Sequence, residues 1–202
     1  GTESPQALLT YFDSRLQKGD YPLKDAATYG KALALLQLKR TDEADTLMQG
    51  LAARHPEDLF VVDALTDIDL AKGRSAQAIA RLERFRTRMP DNEVVVVNLG
   101  NAYLEGGNYQ KSIAILDPYA REHDENSLAW SLLSDAYRKA GRMTDLHMAR
   151  AETLSLRGDY QAAIDELIVA RGTTSDKLTL ARIEARITQL ERAKKDLDSL
   201  KG

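Results

Sequence analysis

Arg54-His55-Pro56-Glu57-Asp58 returns as Arg88-Met89-Pro90-Asp91-Asn92 and again as Glu122-His123-Asp124-Glu125-Asn126, each copy 34 residues after the last. A fixed period of that length is the mark of stacked supersecondary units. Between the copies, apolar and small residues fall into matching slots. From Asp25 onward these are Leu35, Ala44, Met48 and Pro56, with Lys39 standing where later units carry glycine. From Leu59 they are Leu65, Gly73, Ala78, Leu82, Phe85 and Pro90, and from Glu93 they are Leu99, Gly100, Tyr103, Gly107, Tyr109, Leu116 and Tyr119. Small residues such as Ala44, Ala78 and Gly100 let paired helices approach, and the larger ones fill the space between pairs. Gly73, Gly107 and Gly141 are placed to end first helices in a left-handed cap. Asp91, Ser127 and Ser175 are read as N-caps, and Pro56 and Pro90 break the chain between units.

This pattern identifies a tetratricopeptide array, in which each unit is a pair of antiparallel helices that cannot bury its apolar faces alone. The expected fold is all-α, a tetratricopeptide-repeat superhelical solenoid with a C-terminal capping helix. Its units are 25–58, 59–92 and 93–126. A fourth opens with Trp130, Leu133, Tyr137 and Gly141, but the next helix-ending glycine, Gly158, comes only 17 residues later. Residues 127–172 are therefore read as merged units sharing helix 143–157, and 173–202 as the capping helix, with Leu178, Ala181, Ile183, Ile187 and Leu190 inward. Residues 1–24 are read as the second helix of a truncated repeat and a linker, with Ala7, Tyr11 and Ser14 in its slots. The chain is expected to start in mid-repeat as a piece of something longer, with Gly1 a cloning remnant.

Composition excludes several classes. With 43% hydrophobic and 29% charged residues the chain is neither disordered nor membrane-like. Lys plus Arg number 28 against 31 Asp plus Glu, so a net charge of -3 leaves no basic footprint for nucleic acid. No apolar run is long enough to span a bilayer, so no transmembrane segment is expected. Cysteine is absent, which removes disulfides and thiolate metal sites and fits an oxidising compartment as readily as the cytosol.

Few residues suggest chemistry. His55 and His123 share one repeat position at the end of a second helix, where imidazolium favours the helix dipole, and His147 stands apart. There is no His-Glu-x-x-His and no paired-histidine face, so no metal site and no catalytic residue are expected here. Asp63 and Asp67 lie four residues apart on one helical face, with Asp69 close by in sequence. Such a group could hold a divalent cation for hydrolysis, or act as a contact surface for basic or polar peptide groups; the second is preferred, since nothing nearby supplies a nucleophile.

In tetratricopeptide arrays, positions 2, 5, 9, 12 and 13 of each first helix line the groove. Transferred here, they give Tyr29 and Leu33, then Asp63, Asp67 and Leu70, then Val97, Asn101 and Leu104, and finally Ser131, Asp135 and Arg138. The carboxylate clamp of chaperone-binding members pairs a lysine with an asparagine on one helix; here Val97 stands where that lysine would be, beside Asn101.

The second half carries a narrower resemblance. Ala149-Arg150-Ala151-Glu152, continuing through Leu156-Arg157-Gly158-Asp159-Tyr160-Gln161-Ala162-Ala163-Ile164, and then Ala181-Arg182-Ile183-Glu184-Ala185-Arg186-Ile187, resembles the end of the periplasmic M48-family zinc metalloproteases, the β-barrel assembly-enhancing protease family. In that family a zinc protease domain precedes a tetratricopeptide domain. The resemblance implies a docking and regulatory segment of a periplasmic protease and chaperone that assembles outer-membrane β-barrels and degrades stalled ones. Its implied partners are the barrel assembly machinery or its unfolded clients, and the protein's own protease domain. Zinc is expected only in that domain, with no cofactor in this segment. The alternative is a stand-alone tetratricopeptide scaffold or peptide-binding adaptor.

Overall fold

A computed structural model describes residues 4–19 and 23–201. Gly1 lies outside them, as do residues 20–22 of the expected linker. The described residues form eleven α-helices and no strand. In order they are α1 (Pro5–Gln17), α2 (Lys24–Gln37), α3 (Thr41–Arg54), α4 (Leu59–Ala71), α5 (Ser75–Arg88), α6 (Glu93–Glu105), α7 (Tyr109–Glu122), α8 (Ser127–Lys139), α9 (Met143–Leu156), α10 (Tyr160–Arg171) and α11 (Lys177–Lys201).

The repeated pentapeptide explains the helix boundaries. Its second residue closes a helix: the amides of His55, Met89 and His123 donate to the carbonyls of Leu51, Phe85 and Tyr119 at 2.7, 2.8 and 2.9 Å. Its fifth residue opens the next, since the side chains of Asp58, Asn92 and Asn126 accept from the amides of Phe60, Val95 and Ala129 at 2.9, 3.2 and 3.0 Å. The caps are thus Asn92, Asn126 and Asp176, each one residue from the expected Asp91, Ser127 and Ser175. A cap needs its side-chain oxygen within reach of the amides two and three residues on, and only those residues have it there.

The helix-to-helix turn inside a unit uses a left-handed residue. Gly73, Gly107 and Gly141 have φ of 70°, 79° and 72°, and Lys39, in the matching place, is forced to φ 61°. Lysine takes that conformation at a steric cost that glycine escapes.

The chain divides into two compact units, 1–98 and 99–202. In the first, α1 packs on α2, α2 on α3, α3 on α4 and α4 on α5. Leu9, Leu35, Met48, Leu51, Leu65 and Ile68 form a continuous core there. The contact of α1 with α2 is close because Gly30 lacks a side chain; a Cβ there would lie 2.3 Å from the Phe12 ring. This turns the expected face of α1: Ala7 and Tyr11 are exposed and only Ser14 of the expected slots is half-buried, while Leu8, Leu9 and Phe12 turn inward.

In the second unit α7 packs on α8, α8 on α9, α9 on α10 and α10 on α11. Helix α9 thus has a neighbour on both sides, which accounts for the apolar residues spread around it. Ala151, Leu167, Ile183, Ile187 and Leu190 form the core under α11. Those α11 positions, spaced by four and three, share one face. Leu178, 61% exposed, and Ala181 do not join it, because at about 100° per residue they point away from Ile183.

Candidate functional site

In the first unit, Tyr29 of α2, Asp63 and Asp67 of α4, and Asn98 of α6 share one electrostatic neighbourhood. Asn98 Nδ2 donates to Asp63 Oδ1 at 2.6 Å, and Tyr29 Oη donates across helices to the Phe60 carbonyl at 3.5 Å. The Tyr29 phenol is pushed up, first by loss of water and then by the charges of Asp63, Asp58 and Asp67. The Asp67 carboxyl is also raised, because neighbouring side chains crowd water away from it and Asp63 places a like charge one turn earlier. Beside these groups Phe60 is 74% exposed, the most exposed aromatic ring among the described residues of this unit. Aromatic faces flanked by two carboxylates and a carboxamide can hold apolar, cationic and backbone amide groups of a polypeptide.

Asp69 does not belong to this face. It lies two residues past Asp67, about 200° further round the helix. There it is fully buried and accepts from Arg74 Nη2 and Arg81 Nη2, each at 2.7 Å. The cation-site reading of Asp63, Asp67 and Asp69 therefore fails. Among the described residues no three His, Cys, Asp or Glu side chains converge as metal ligands would.

The remaining groove positions separate by burial. Leu33 and Leu70 are half-buried, and Leu33 packs against the core. Val97 and Leu104, 7% and 8% exposed, are packing residues that offer a partner almost no area, which corrects their assignment to an open groove. Asn101 is half-buried. In the second unit Ser131, Asp135 and Arg138 do come together, lining a cleft of about 450 Å³ with Arg150 and Thr153 of α9 and Arg157 just past its end. Asp135 Oδ1 accepts from Arg138 Nη2 at 2.9 Å, while Arg150 Nη2 lies 3.3 Å from Glu166 Oε1.

The histidines have structural partners. His55 Nε2 lies 2.6 Å from Asp25 Oδ2, the His123 ring stacks on Tyr119 at 4.2 Å, and His147 Nδ1 meets Glu166 Oε2 at 2.6 Å.

Sequence reasoning missed Phe60 and Leu128, which are 74% and 58% exposed. Both are second residues of first helices and stand two periods apart, so the positional rule itself marked them. It also missed Asn98, which lies one residue beyond a groove slot, and Arg150 and Arg157 on and just after α9, legible in the helical spacing of Arg150, Thr153 and Arg157.

Comparison with known proteins agrees with this architecture. Family models described as tetratricopeptide repeat match residues 26–58 and 69–136. Over 69 residues the chain is 46% identical to the beta-barrel assembly-enhancing protease of Yersinia pestis and 38% identical to that of Escherichia coli K12. Each match covers 34% of this chain and 14% of the relative's length. Among solved structures, a tetratricopeptide repeat protein from Parabacteroides merdae superposes with a TM-score of 0.61 at 13% identity, covering 93% of this chain and 78% of that one. MamA from Desulfovibrio magneticus superposes at 0.57 with 16% identity, covering 84% of this chain and 96% of its own. At such identities these two structures speak to the fold alone.

Proposed function

Because this chain belongs to the tetratricopeptide-repeat proteins, we propose that it is a docking module for polypeptides, acting within a β-barrel assembly-enhancing protease of the Gram-negative periplasm. The observation that carries the finer part is the 46% identity over 69 residues to such a protease. The face of Tyr29, Phe60, Asp63, Asp67 and Asn98 supports the coarser part, since it offers the exposed Phe60 ring beside two carboxylates, one of them held by Asn98. An extended or partly folded client would lay an apolar side chain against Phe60 and direct cationic or amide groups to the two carboxylates. Affinity would be modest, because ordering a flexible client costs much of the contact energy. On this reading the zinc and the peptidase chemistry reside in a protease domain outside these 202 residues, and the repeats present clients to it and restrict access to the metal.

The test uses the native polypeptide. Its size and zinc content are measured after recovery from source cells with an antibody to this segment. A photo-cross-linking residue then replaces Phe60 or Leu128 in that full chain. A large zinc-bearing protein that cross-links from Phe60 to outer-membrane barrel proteins or their assembly machinery is expected. A zinc-free chain barely longer than this segment would refute the protease assignment and favour the stand-alone adaptor.

A further inference from the structure

The second unit carries a cleft of opposite charge to the acidic face of the first, and docking on that face makes no use of it. About 450 Å³ in volume, it lies between α8 and α9. Ser131, Asp135 and Arg138 stand at steps of four and three residues on α8. Arg150, Thr153 and Arg157 stand at steps of three and four on α9 and its C-cap, so each set forms one helical stripe and the two stripes meet across the cleft. Leu146, 5% exposed, and the half-buried Leu154 add an apolar floor.

Charge distinguishes this cleft. Its lining carries three guanidinium groups against one carboxylate, an excess of two in a chain whose net charge is -3. All three are open to water: the side chains of Arg138 and Arg150 are 55% and 53% exposed, and Arg157 is exposed. Arg157 has no carboxylate partner among the described residues. Arg138 meets Asp135 in an exposed pair that a ligand can displace at little cost. Arg150 lies 3.3 Å from Glu166, which stands outside the lining and already meets His147 Nδ1 at 2.6 Å with its other oxygen. Like charges gathered in a recess focus their field there and draw anions in.

We propose that this cleft binds a small phosphate monoester, such as a sugar phosphate. A monoester carries close to two negative charges at pH 7 and three strong acceptor oxygens, which answers both the excess charge and the guanidinium forks. A carboxylate, with one charge, leaves half of that excess unanswered. The hydroxyls of Ser131 and Thr153 supply hydrogen-bonding groups for a carbohydrate, and Leu154 an apolar patch for its carbon face. The volume falls within the range of small-ligand sites.

The experiment titrates the purified chain calorimetrically with glucose 6-phosphate, glucose and glucose 6-sulfate. The phosphate is expected to bind where glucose does not. Its affinity should rise about tenfold between pH 5 and pH 7, as the ester takes its second charge near pH 6, while the sulfate, which carries one charge throughout, shows no such rise. Arg157→Gln, which breaks no ion pair, should weaken the phosphate at least about tenfold, as expected for loss of a charged hydrogen bond. Asp135→Asn, which removes the lining's one carboxylate, should tighten it. Ser131→Trp, which fills the cleft, should abolish it while thermal unfolding confirms that the fold is kept. Phe60→Ala, on the acidic face, should leave it unchanged, so that failure of this site and failure of polypeptide docking are told apart. No binding of the phosphate, equal binding of phosphate and sulfate at pH 7, or indifference to Arg157→Gln would each overturn the proposal. So would binding of a phosphoserine peptide or of phosphatidylglycerol vesicles without binding of the sugar phosphate, which would make the cleft a docking surface for a macromolecule or a membrane.

Discussion

Asp69 of α4 and Arg81 of α5 form an ion pair of 2.7 Å in which the carboxylate is wholly buried. The slot that Asp69 fills is held by Leu35, Tyr103 and Tyr137 in the other units, all of them buried apolar or aromatic residues. Here a charge has entered the packing layer, and Arg74 joins it, bridging Asp69 to Asp45 of α3 at 2.8 Å. Removing Asp69 leaves the largely buried Arg81 without its carboxylate, so Asp69→Ala is expected to destabilise the chain by about 3–5 kcal/mol. Asp69→Leu with Arg81→Leu, an apolar replacement of both partners, should be less damaging than either single change. Urea unfolding of the four variants in a double-mutant cycle reads the coupling directly.

Gly100 and Leu116 set the approach of α6 to α7. A Cβ on Gly100 would sit 2.4 Å from Leu116 Cγ, and Ser112 Oγ donates to the Gly100 carbonyl at 2.8 Å. Gly100→Ala is expected to cost about 1–3 kcal/mol through overpacking. Partial rescue by Leu116→Val in thermal unfolding would identify the steric clash as the cause.

Lys39 holds a left-handed conformation where later units place glycine. Lys39→Gly should stabilise the chain by about 1 kcal/mol, since the steric penalty on a side-chain-bearing residue is removed. A rise in the thermal midpoint, with no change in helical circular dichroism, is the expected result.

Asp67 provides a pH test of the acidic face. Its folded pKa is raised, so the native chain holds this proton more tightly than the unfolded chain does, and stability attributable to the group falls as pH rises through that pKa. Asp67→Asn is expected to stabilise by roughly 0.2–0.5 kcal/mol at pH 7, relieving a like-charge pair one turn apart. Denaturant unfolding should show that gain shrinking at pH values below the ordinary carboxylate range.

Asp25 behaves in the opposite sense. Arg54 and then His55 hydrogen-bond its carboxyl and lower it from 3.8 to about 2. Any stability it contributes is present above the ordinary value and is lost as pH falls towards 2. Carboxyl-resolved NMR titration should find that depressed midpoint, and Arg54→Gln should return it towards 3.8.

Period and slot pattern were enough to read the helix hairpins, the helix-ending glycines and the lysine that stands in a glycine slot, because they depend on contacts between residues near in sequence. A cap, a turn or a helical face is decided within a few residues, and the 34-residue spacing repeats those local decisions. The same locality made Phe60 and Leu128 legible in principle. What sequence could not assign was the fate of each polar group once helices were packed. Asp63 and Asp69 are six residues apart in one acidic run, yet one accepts from Asn98 at the surface and the other is buried between Arg74 and Arg81. That outcome depends on which neighbouring helix each side of α4 faces. The turned face of α1 is of the same kind, since it arises from Phe12 lying over Gly30, a contact between helices. The burial of Arg81 Nη1 without a hydrogen-bond partner is likewise a result of packing. Burial and desolvation are properties of the packed assembly of helices, and no stretch of a single helix encodes them by itself.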